Sequence, residues 1–342
     1  MRDPETAGSQ RRSRTEREIT EPVDMCLANG QLNPAAVGWS RRPLHRANLQ
    51  GWGRNKRFEY WCVITPELIV TANISEHDYR ANVASVCIDR ASHVQRGARR
   101  NRWLSSNRSL SALDGQAVME ADAAGVRVRL TRRDAGTHIE TMAPGLEVDL
   151  QVFEPEHHES MGVLVPWNDK QFQYTRKNNC LQVQGRVVLD GVERKVDRTD
   201  SYAIHDYGRG RWPYNTLWNW AAGSGVSRGR QIGLQFGAKW TAGTPSTENA
   251  VRIDGRLHKI SDELDWRYDV TDWMKPWTIR GDRVDLRFTP DIYHHHEFNR
   301  WLISSRGDQC FGYFDGQVVS DEGERVPVEN VYGLAEEVHR KW

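Results

Sequence analysis

The residues best suited to chemistry lie between Tyr202 and Trp220, where an aspartate stands among many aromatic side chains. In an extended strand Tyr202, Ile204 and Asp206 share one face, because side chains alternate across a strand. Burial among aromatic rings raises the pKa of an aspartate, since it disfavours the charged form, and the acid can then donate a proton near neutral pH. We therefore predict that Asp206 is a general acid.

The same aspartate has a structural interpretation. Arg209 and Arg211 follow it closely and could hold Asp206 ionised in a salt bridge at the Gly-rich bend. An unpaired carboxylate on a cavity wall would favour acid catalysis. A salt-bridged carboxylate on the outer surface would favour a structural role or a carrier.

Other residues of this segment and of the strands after it are candidates to orient a substrate or a water molecule. We group His205 and Tyr207 with Asp206 as catalytic candidates. The candidates for substrate binding are Tyr202, Trp218, Asn219, Trp220, Gln235, Glu248 and Asn249. Tryptophan rings could enclose a developing carbocation through cation–π contact. We expect neither an organic cofactor nor a metal.

Two motifs have simpler explanations. The segment 225–229 matches the GxSxG nucleophile elbow, but the alternating residues 231–237 predict a strand where that motif needs a helix. We interpret 223–229 as a hairpin loop.

The run His294-His295-His296-Glu297 has metal-ligand side chains. On a strand only His294 and His296 would share a face, so a polar loop or strand edge is the favoured interpretation. The pair His157-His158 is expected in a solvated loop.

Composition excludes several classes of function. A net charge of +1 removes the basic bias of a nucleic-acid-binding protein, and no run approaches the ~18 apolar residues of a membrane helix. Five widely spaced cysteines fit neither a disulfide framework nor a zinc site. We expect a cytoplasmic protein that binds a hydrophobic small molecule through some of its 14 tryptophans, with no nucleic-acid partner and no integral membrane association. Its oligomeric state is open.

Short alternating runs separated by turn residues predict an all-β fold. Asp190-Gly191, Asp254-Gly255 and Asp315-Gly316 are hairpin signals, because these residues tolerate the positive φ angles of a type I′ turn. Short helices are expected only at 32–36 and at 331–342, the latter covering one edge or mouth of a barrel.

A polar run at 197–200 separates two strand-rich regions of similar size. We therefore expect a disordered arm over 1–20, an N-terminal β domain over 21–198, and a C-terminal β domain over 199–342 that ends in the helix.

Many short motifs along the chain resemble an uncharacterised bacterial family known as domain of unknown function 2804. They are Asn29-Gly30, Gly38 to His45, Asn55 to Trp61, His205 to Trp220, Thr247 to Ala250, Asp254 to His258, Lys275-Pro276-Trp277, Phe288-Thr289-Pro290, Cys310-Phe311-Gly312 and Gly333 to Glu337. The resemblance spans residues ~22 to 342.

That family is similar, more remotely, to the hydroxyneurosporene synthase and AttH group. The resemblance implies two lipocalin-like antiparallel β-barrel or sandwich domains with few short helices. It also implies hydratase or cyclase relatives that bind hydrophobic molecules between the domains. In the hydratases the acid lies in a Tyr-x-Asp segment, and His205-Asp206 is the counterpart here, with Ile204 at the tyrosine position.

Two functions follow from this. The first is a cofactor-independent hydratase, isomerase or cyclase that uses acid catalysis on an unsaturated or cyclic hydrophobic substrate. The second is a non-catalytic, lipocalin-like carrier of a hydrophobic ligand.

Overall fold

The computed structural model describes residues 15–103, 118–300 and 302–342, and within these ranges it contains 24 β-strands and one 3₁₀ turn, Pro34–Ala36. The first fifteen strands are β1 (Val23–Asp24), β2 (Gly38–Ser40), β3 (His45–Arg46), β4 (Asn55–Ile64), β5 (Leu68–His77), β6 (Arg80–Asp89), β7 (Gln95–Trp103), β8 (Val118–Ala123), β9 (Val126–Arg133), β10 (Gly136–Ala143), β11 (Leu146–Phe153), β12 (Met161–Pro166), β13 (Phe172–Leu189), β14 (Val192–Val196) and β15 (Tyr202–Arg211). The others are β16 (Asn215–Ser227), β17 (Arg230–Ala238), β18 (Asn249–Ile253), β19 (Arg256–Ile260), β20 (Asp265–Arg267), β21 (Trp277–Gly281), β22 (Val284–Arg300), β23 (Ile303–Val319) and β24 (Arg325–Lys341).

The short strands β1 and β3 pair with each other in parallel, and the other strands form two large antiparallel sheets. The first has the order β7-β6-β5-β4-β15-β13-β11-β10-β9-β8, with β12 and β14 paired to β13 and β2 paired to β12. The second has the order β19-β18-β17-β16-β24-β23-β22-β21-β20. The first sheet is a nearly closed barrel and the second a half-barrel, which confirms the expected all-β fold with two lipocalin-like halves.

Side chains alternate between the two faces of each sheet, and both faces are covered. In the first half, Val63 and Leu181 belong to a core on the concave side, and in the second half Phe236 and Phe314 do the same. The opposite faces meet in a third core. Its members are Cys62, Ile64, Ile69, Ile88 and Ile204 from the first sheet and Trp220, Ala222, Ile292, Phe311, Tyr332 and Leu334 from the second. Burying apolar side chains at this junction holds the halves together.

Two of the three Asp-Gly hairpin signals are confirmed. Asp190 and Gly191 have φ angles of 48° and 82°, and Asp254 and Gly255 have φ angles of 50° and 85°, as a type I′ turn requires. The third signal is wrong. Gly316 lies inside β23 at an irregularity in the pairing with β24, so it bends a long strand instead of ending it.

The expected C-terminal helix is also wrong, because residues 325–341 form β24 between β16 and β23. Its charged residues, which resembled the wet side of a helix, alternate between two covered faces. Glu336 points into the junction between the sheets, where Trp218 donates to it, and Glu337 points into the second half, where Lys239 pairs with it at 2.5 Å.

The transition between the sheets comes later than the expected boundary at 198/199. Strand β15 pairs with β4 and β13, so the chain enters the second sheet only after Arg211. The expected arm lies outside the described residues up to position 14. Its last residues are packed, since Glu16 is buried and forms an ion pair of 2.6 Å with Lys259 of the second half.

A charged cluster lies inside the first half. The buried carboxylate of Glu59 is 2.7 Å from Arg132, 3.4 Å from His205 and 3.6 Å from Arg209. Burial acts to raise the pKa of Glu59, but the three partners outweigh it and lower the pKa to about 2. Glu59 therefore stays ionised in the folded protein.

The depressed pKa of Glu59 predicts a pH-dependent contribution to stability. Its favourable interactions are fully present above the ordinary carboxyl pKa and are lost as the pH falls from about 4.5 toward about 2. We expect Glu59→Gln to lower the free energy of unfolding by up to about 3 kcal/mol at pH 7, and by progressively less below pH 4.5. Urea unfolding at several pH values measures this. The control is Glu67→Gln, which removes an exposed pair with Arg194 and should change little.

The central position of β24 predicts that the C-terminal strand is essential. A chain ending at Asn330 lacks most of β24, so β16 and β23 lose the partner between them, and we expect no cooperative thermal transition by circular dichroism. Should that chain be insoluble, Leu334→Ala tests the same packing and should cost about 2–5 kcal/mol. A truncated protein that melts like the full-length one would contradict this role.

Candidate active site

A cavity of about 350 Å³ opens between the two sheets, beside the apolar junction. The first sheet lines it with alternate residues of β4 to β7, β13 and β15, and the second sheet contributes alternate residues of β16 and β22 to β24. Its size is within the range of small-molecule sites. Its wall combines tryptophans with charged side chains, so it can hold an apolar molecule next to groups that transfer protons.

Three charged side chains meet at one part of this wall. Lys177 on β13 and Asp206 on β15 are directly opposite each other in the antiparallel pair, and Lys177 Nζ is 2.8 Å from Asp206 Oδ2. The same Nζ is 3.2 Å from Oε2 of Glu248, which comes from the second half just before β18. Thr175 donates a hydrogen bond of 3.0 Å to Asp206 Oδ1.

The group has two carboxylates and one lysine, and all three are buried. Burial disfavours the charged form of a carboxyl group and therefore acts to keep a proton on it. Burial and the charge of Asp206 raise the pKa of Glu248 in spite of Lys177. Burial opposes the charge of Lys177, but Asp206 and Glu248 outweigh it and raise its pKa. Lys177 therefore stays charged, and Glu248 holds a proton more readily than a surface carboxyl does.

Glycine at position 237 makes room for one of these carboxylates. A Cβ atom there would come within 1.9 Å of Glu248 Oε1. Trp240 donates its indole N–H to that oxygen, and Asn249 Oδ1 accepts a hydrogen bond of 2.9 Å from the Gly237 amide. The position of Glu248 is thus set by a close approach to the backbone of β17.

Tryptophans form the apolar part of the wall. Trp212 and Trp240 stack with ring centroids 5.7 Å apart, and Trp218 packs edge-on against Trp212. Lys56 Nζ lies 3.6 Å from the centroid of Trp212, and burial lowers its pKa well below the ordinary value. The indole nitrogen of Trp220 donates to Gln235. These ring contacts and hydrogen bonds fix the tryptophans in place along the wall.

The structure brings together some of the predicted site residues and separates others. Asp206, Trp218, Trp220 and Glu248 line the cavity. His205 and Tyr207 do not, because they alternate with Asp206 and point into the first half. His205 stacks on Trp61 there, with ring centroids 4.0 Å apart. Tyr207 packs against Tyr174.

The other candidates lie behind the wall or away from it. Gln235 bonds to Trp220 and Asn249 to Gly237, so each supports a neighbour of the cavity. Asn219 points into the second half and donates to Tyr268 at 3.0 Å. Tyr202 shares a face with Asp206 but lies outside the cavity lining.

Neither expected arginine pairs with Asp206. Arg209 points toward Glu59 inside the first half, and Arg211 bonds to Asn55 at 3.0 Å. The partner is Lys177, which sequence reasoning missed. The signal was present in the spacing of Gln173, Thr175 and Lys177, which places polar side chains on one face of a long strand.

The remaining motifs lie in a hairpin and on the cavity wall. The GxSxG segment ends β16, and the reversal occurs at Arg228 and Gly229, so it is part of a hairpin. His294 and His296 lie on β22 and line the cavity, with ring centroids 6.4 Å apart. Among the described residues there is no cluster of three or more His, Cys, Asp or Glu side chains that could hold a metal ion. All five cysteines are buried and free.

The family model for a domain of unknown function, DUF2804, matches residues 16–342. The chain belongs to this family. The resemblance noted in the sequence is therefore confirmed. No curated protein matches the chain in sequence.

Solved structures resemble the fold of this DUF2804 protein. An AttH-like protein from Nitrosomonas europaea has a TM-score of 0.52 at 12% identity, over 84% of this chain and 92% of that one. Kievitone hydratase from Nectria haematococca has a TM-score of 0.46 at 11% identity, over 84% and 89%. CghA with Sch210972 has a TM-score of 0.42 at 10% identity, over 83% and 88%. The described residues contain no helix with the length and apolar character that crossing a membrane needs.

Because Lys177 pairs with both carboxylates, we predict that replacing it lowers the stability of the protein by an amount that depends on pH. Lys177→Met leaves Asp206 and Glu248 buried without a cation, so we expect a loss of about 3–5 kcal/mol at pH 7. Without the lysine, burial favours the neutral form of Glu248 in the folded state still more strongly. Stability is therefore lost as the pH rises above the ordinary carboxyl range, and the loss should be smaller at pH 5 than at pH 8.

Chemical unfolding at both pH values checks this expectation. Lys195→Met, a change on the exposed face of β14, is the matched control and should have little effect at either pH. An equal loss at pH 5 and pH 8 would show that Lys177 acts through packing and not through its charge.

Proposed function

We propose that the protein is a cofactor-independent enzyme that protonates an unsaturated or cyclic hydrophobic small molecule in the cavity between its two halves. The observation that carries the proposal is the buried group of Lys177, Asp206 and Glu248 beside a wall of tryptophans. A buried carboxyl group with a raised pKa, as Glu248 has, is suited to general acid catalysis next to an apolar binding surface.

The acid step needs one proton from the carboxyl pair. The O–H bond of Asp206 breaks, and a C–H bond forms at one alkene carbon while the neighbouring carbon becomes cationic. Lys177 then faces an ionised carboxylate, which its charge stabilises. In a hydration, water adds to the cation and releases a proton to the carboxylate. In an isomerisation or cyclisation, a proton leaves another carbon, and the carboxyl is restored in the same way.

The wall of the cavity suits a cationic intermediate. Trp218 and Trp220 line it, and Lys177 Nζ lies 4.4 Å from the centroid of Trp220, so that ring already holds one cation. A carbocation beside an uncovered ring face would gain about 1–2 kcal/mol per ring from cation–π attraction. The apolar junction next to the cavity keeps bulk water from one side.

Deuterium labelling tests the proposal before the substrate is known. The protein is incubated in D₂O with the small-molecule extract of its native host, and products are examined by high-resolution mass spectrometry. Protonation at carbon places one non-exchangeable deuterium in the product. We expect such a compound with the wild type, and a rate lower by about 10² to 10⁴ with Asp206→Asn.

The control variant is Asp134→Asn, which changes an exposed aspartate in the turn between β9 and β10 and should label like the wild type. Melting curves separate chemistry from stability, because Asp206→Asn also weakens the pair with Lys177. A folded Asp206→Asn protein that labels at the wild-type rate would end the catalytic assignment of Asp206.

The carrier is the second candidate, and the ion pair between Lys177 and Asp206 favours it, because a paired carboxylate is a poorer acid. If the protein is a carrier, the extract contains a compound that binds to the wild-type protein and gains no deuterium. Binding without labelling would therefore identify a carrier.

A further inference from the structure

A second set of cavity residues is cationic. Arg80 on β6 and Arg99 on β7 come from the edge of the first sheet, and Arg340 comes from β24 of the second. The cavity thus brings together positive charges from both sheets. Burial and the charges of Arg99 and Arg80 lower the pKa of Arg340 to about 9, although Glu336 opposes them.

The hydrogen-bond partners of these arginines are neutral. Arg80 Nε donates to Asn101 Oδ1 at 3.1 Å, and Arg340 Nε donates to Ser305 Oγ at 3.2 Å. Within the described ranges no carboxylate lies at ion-pair distance from Arg80, Arg99 or Arg340. The buried Arg57 of the same sheet does have such a partner, Asp78 at 3.1 Å, whereas Arg80 and Arg340 are half-buried and Arg99 is exposed.

One buried carboxyl group, Glu336, acts on Arg340 and Arg99 through its charge, and burial raises its own pKa. Its oxygens accept from Trp218 at 3.1 Å and Gln309 at 2.8 Å, so it forms an ion pair with none of the three arginines and offsets only part of their charge. Glu297 lines the cavity on an exposed part of β22. Lys56 lines the same wall.

Two neutral histidines complete the set. Burial and the neighbouring Arg99 lower the pKa of His294, and burial, Arg99 and Arg340 lower the pKa of His296 to about 2. Nε2 of His296 is buried without a hydrogen-bond partner among the described residues. An imidazole N–H in this position can donate to an anion.

We propose that the ligand of the cavity is a hydrophobic molecule with an acidic group, a carboxylate or a phosphate monoester, which Arg99 and Arg340 bind while the tryptophans hold its apolar part. Guanidinium groups recognise both anions through paired N–H donors. Arg340 also lies 5.2 Å from the centroid of Trp218, so the acidic group binds beside the aromatic wall. This inference rests on the proposed function in taking the cavity as the substrate site.

Calorimetric titration with three probes of equal chain length tests the inference. The probes are decanoate, decyl phosphate and decan-1-ol, each below its micelle concentration. We expect the wild type to bind at least one anion roughly tenfold more tightly than the alcohol. Tighter binding of decanoate identifies a carboxylate site, and tighter binding of decyl phosphate identifies a phosphate site.

Variants assign the preference to the arginines. Arg99→Gln and Arg340→Gln should each weaken anion binding roughly tenfold and leave decan-1-ol unchanged. The matched control is Arg102→Gln, three residues from Arg99 on the exposed opposite face of β7, which should bind all probes like the wild type. If Arg340→Gln does not fold, Arg99→Gln at the sheet edge gives the same answer.

Three results would overturn the inference: no binding of any probe to the wild type, equal affinity for anions and alcohol, or an equal loss for all three probes in the arginine variants. The outcome is separable from that of the proposed function. Asp206→Asn should keep the anion preference, so a protein that fails the deuterium test and retains that preference is an anion-selective carrier.

Discussion

The charge of Lys177 joins the two halves of the molecule at the place where they could carry out chemistry. Lys177 and Asp206 are cross-strand neighbours in the first sheet, whereas Glu248 arrives from the second. Buried charges are costly unless they are paired, so the halves must keep the separation at which one ammonium group reaches both carboxylates. Beside these charged groups the two sheets pack closely through apolar side chains. The cavity lies where polar side chains keep the sheets apart.

This arrangement gives both faces of each central strand a role. Along β15, Ala203 and His205 point into the first half, whereas Ile204 and Asp206 point toward the second. Residues that are adjacent in sequence therefore lie in different environments. The cluster around Glu59 stabilises the interior of the barrel, and Asp206 belongs to the cavity, although the strands that carry them are paired.

The sequence was informative wherever a local rule decides the structure. Alternation predicted the strands, and positive φ angles at Asp190 and Asp254 followed from their Asp-Gly dipeptides. It misled in β24, where Glu336 and Glu337 resembled a solvated helix face. Both are covered, and their partners lie elsewhere in the chain, so a charge pattern that is stable only through tertiary pairing cannot be distinguished locally from an exposed one.

The same limit explains which site residues could be predicted. Asp206 and the tryptophans stand in one unusual segment, whereas Lys177 and Arg340 become site residues only through the pairing of strands distant in sequence. A subtler signal was available in β5, where Thr71, Asn73 and Ser75 alternate with apolar residues. An uncharged polar face normally points to water, yet this one lines the cavity. When both faces of a strand are covered, such a face marks the place where two sheets enclose a polar space, because close apolar packing would leave its hydrogen-bonding groups unpaired.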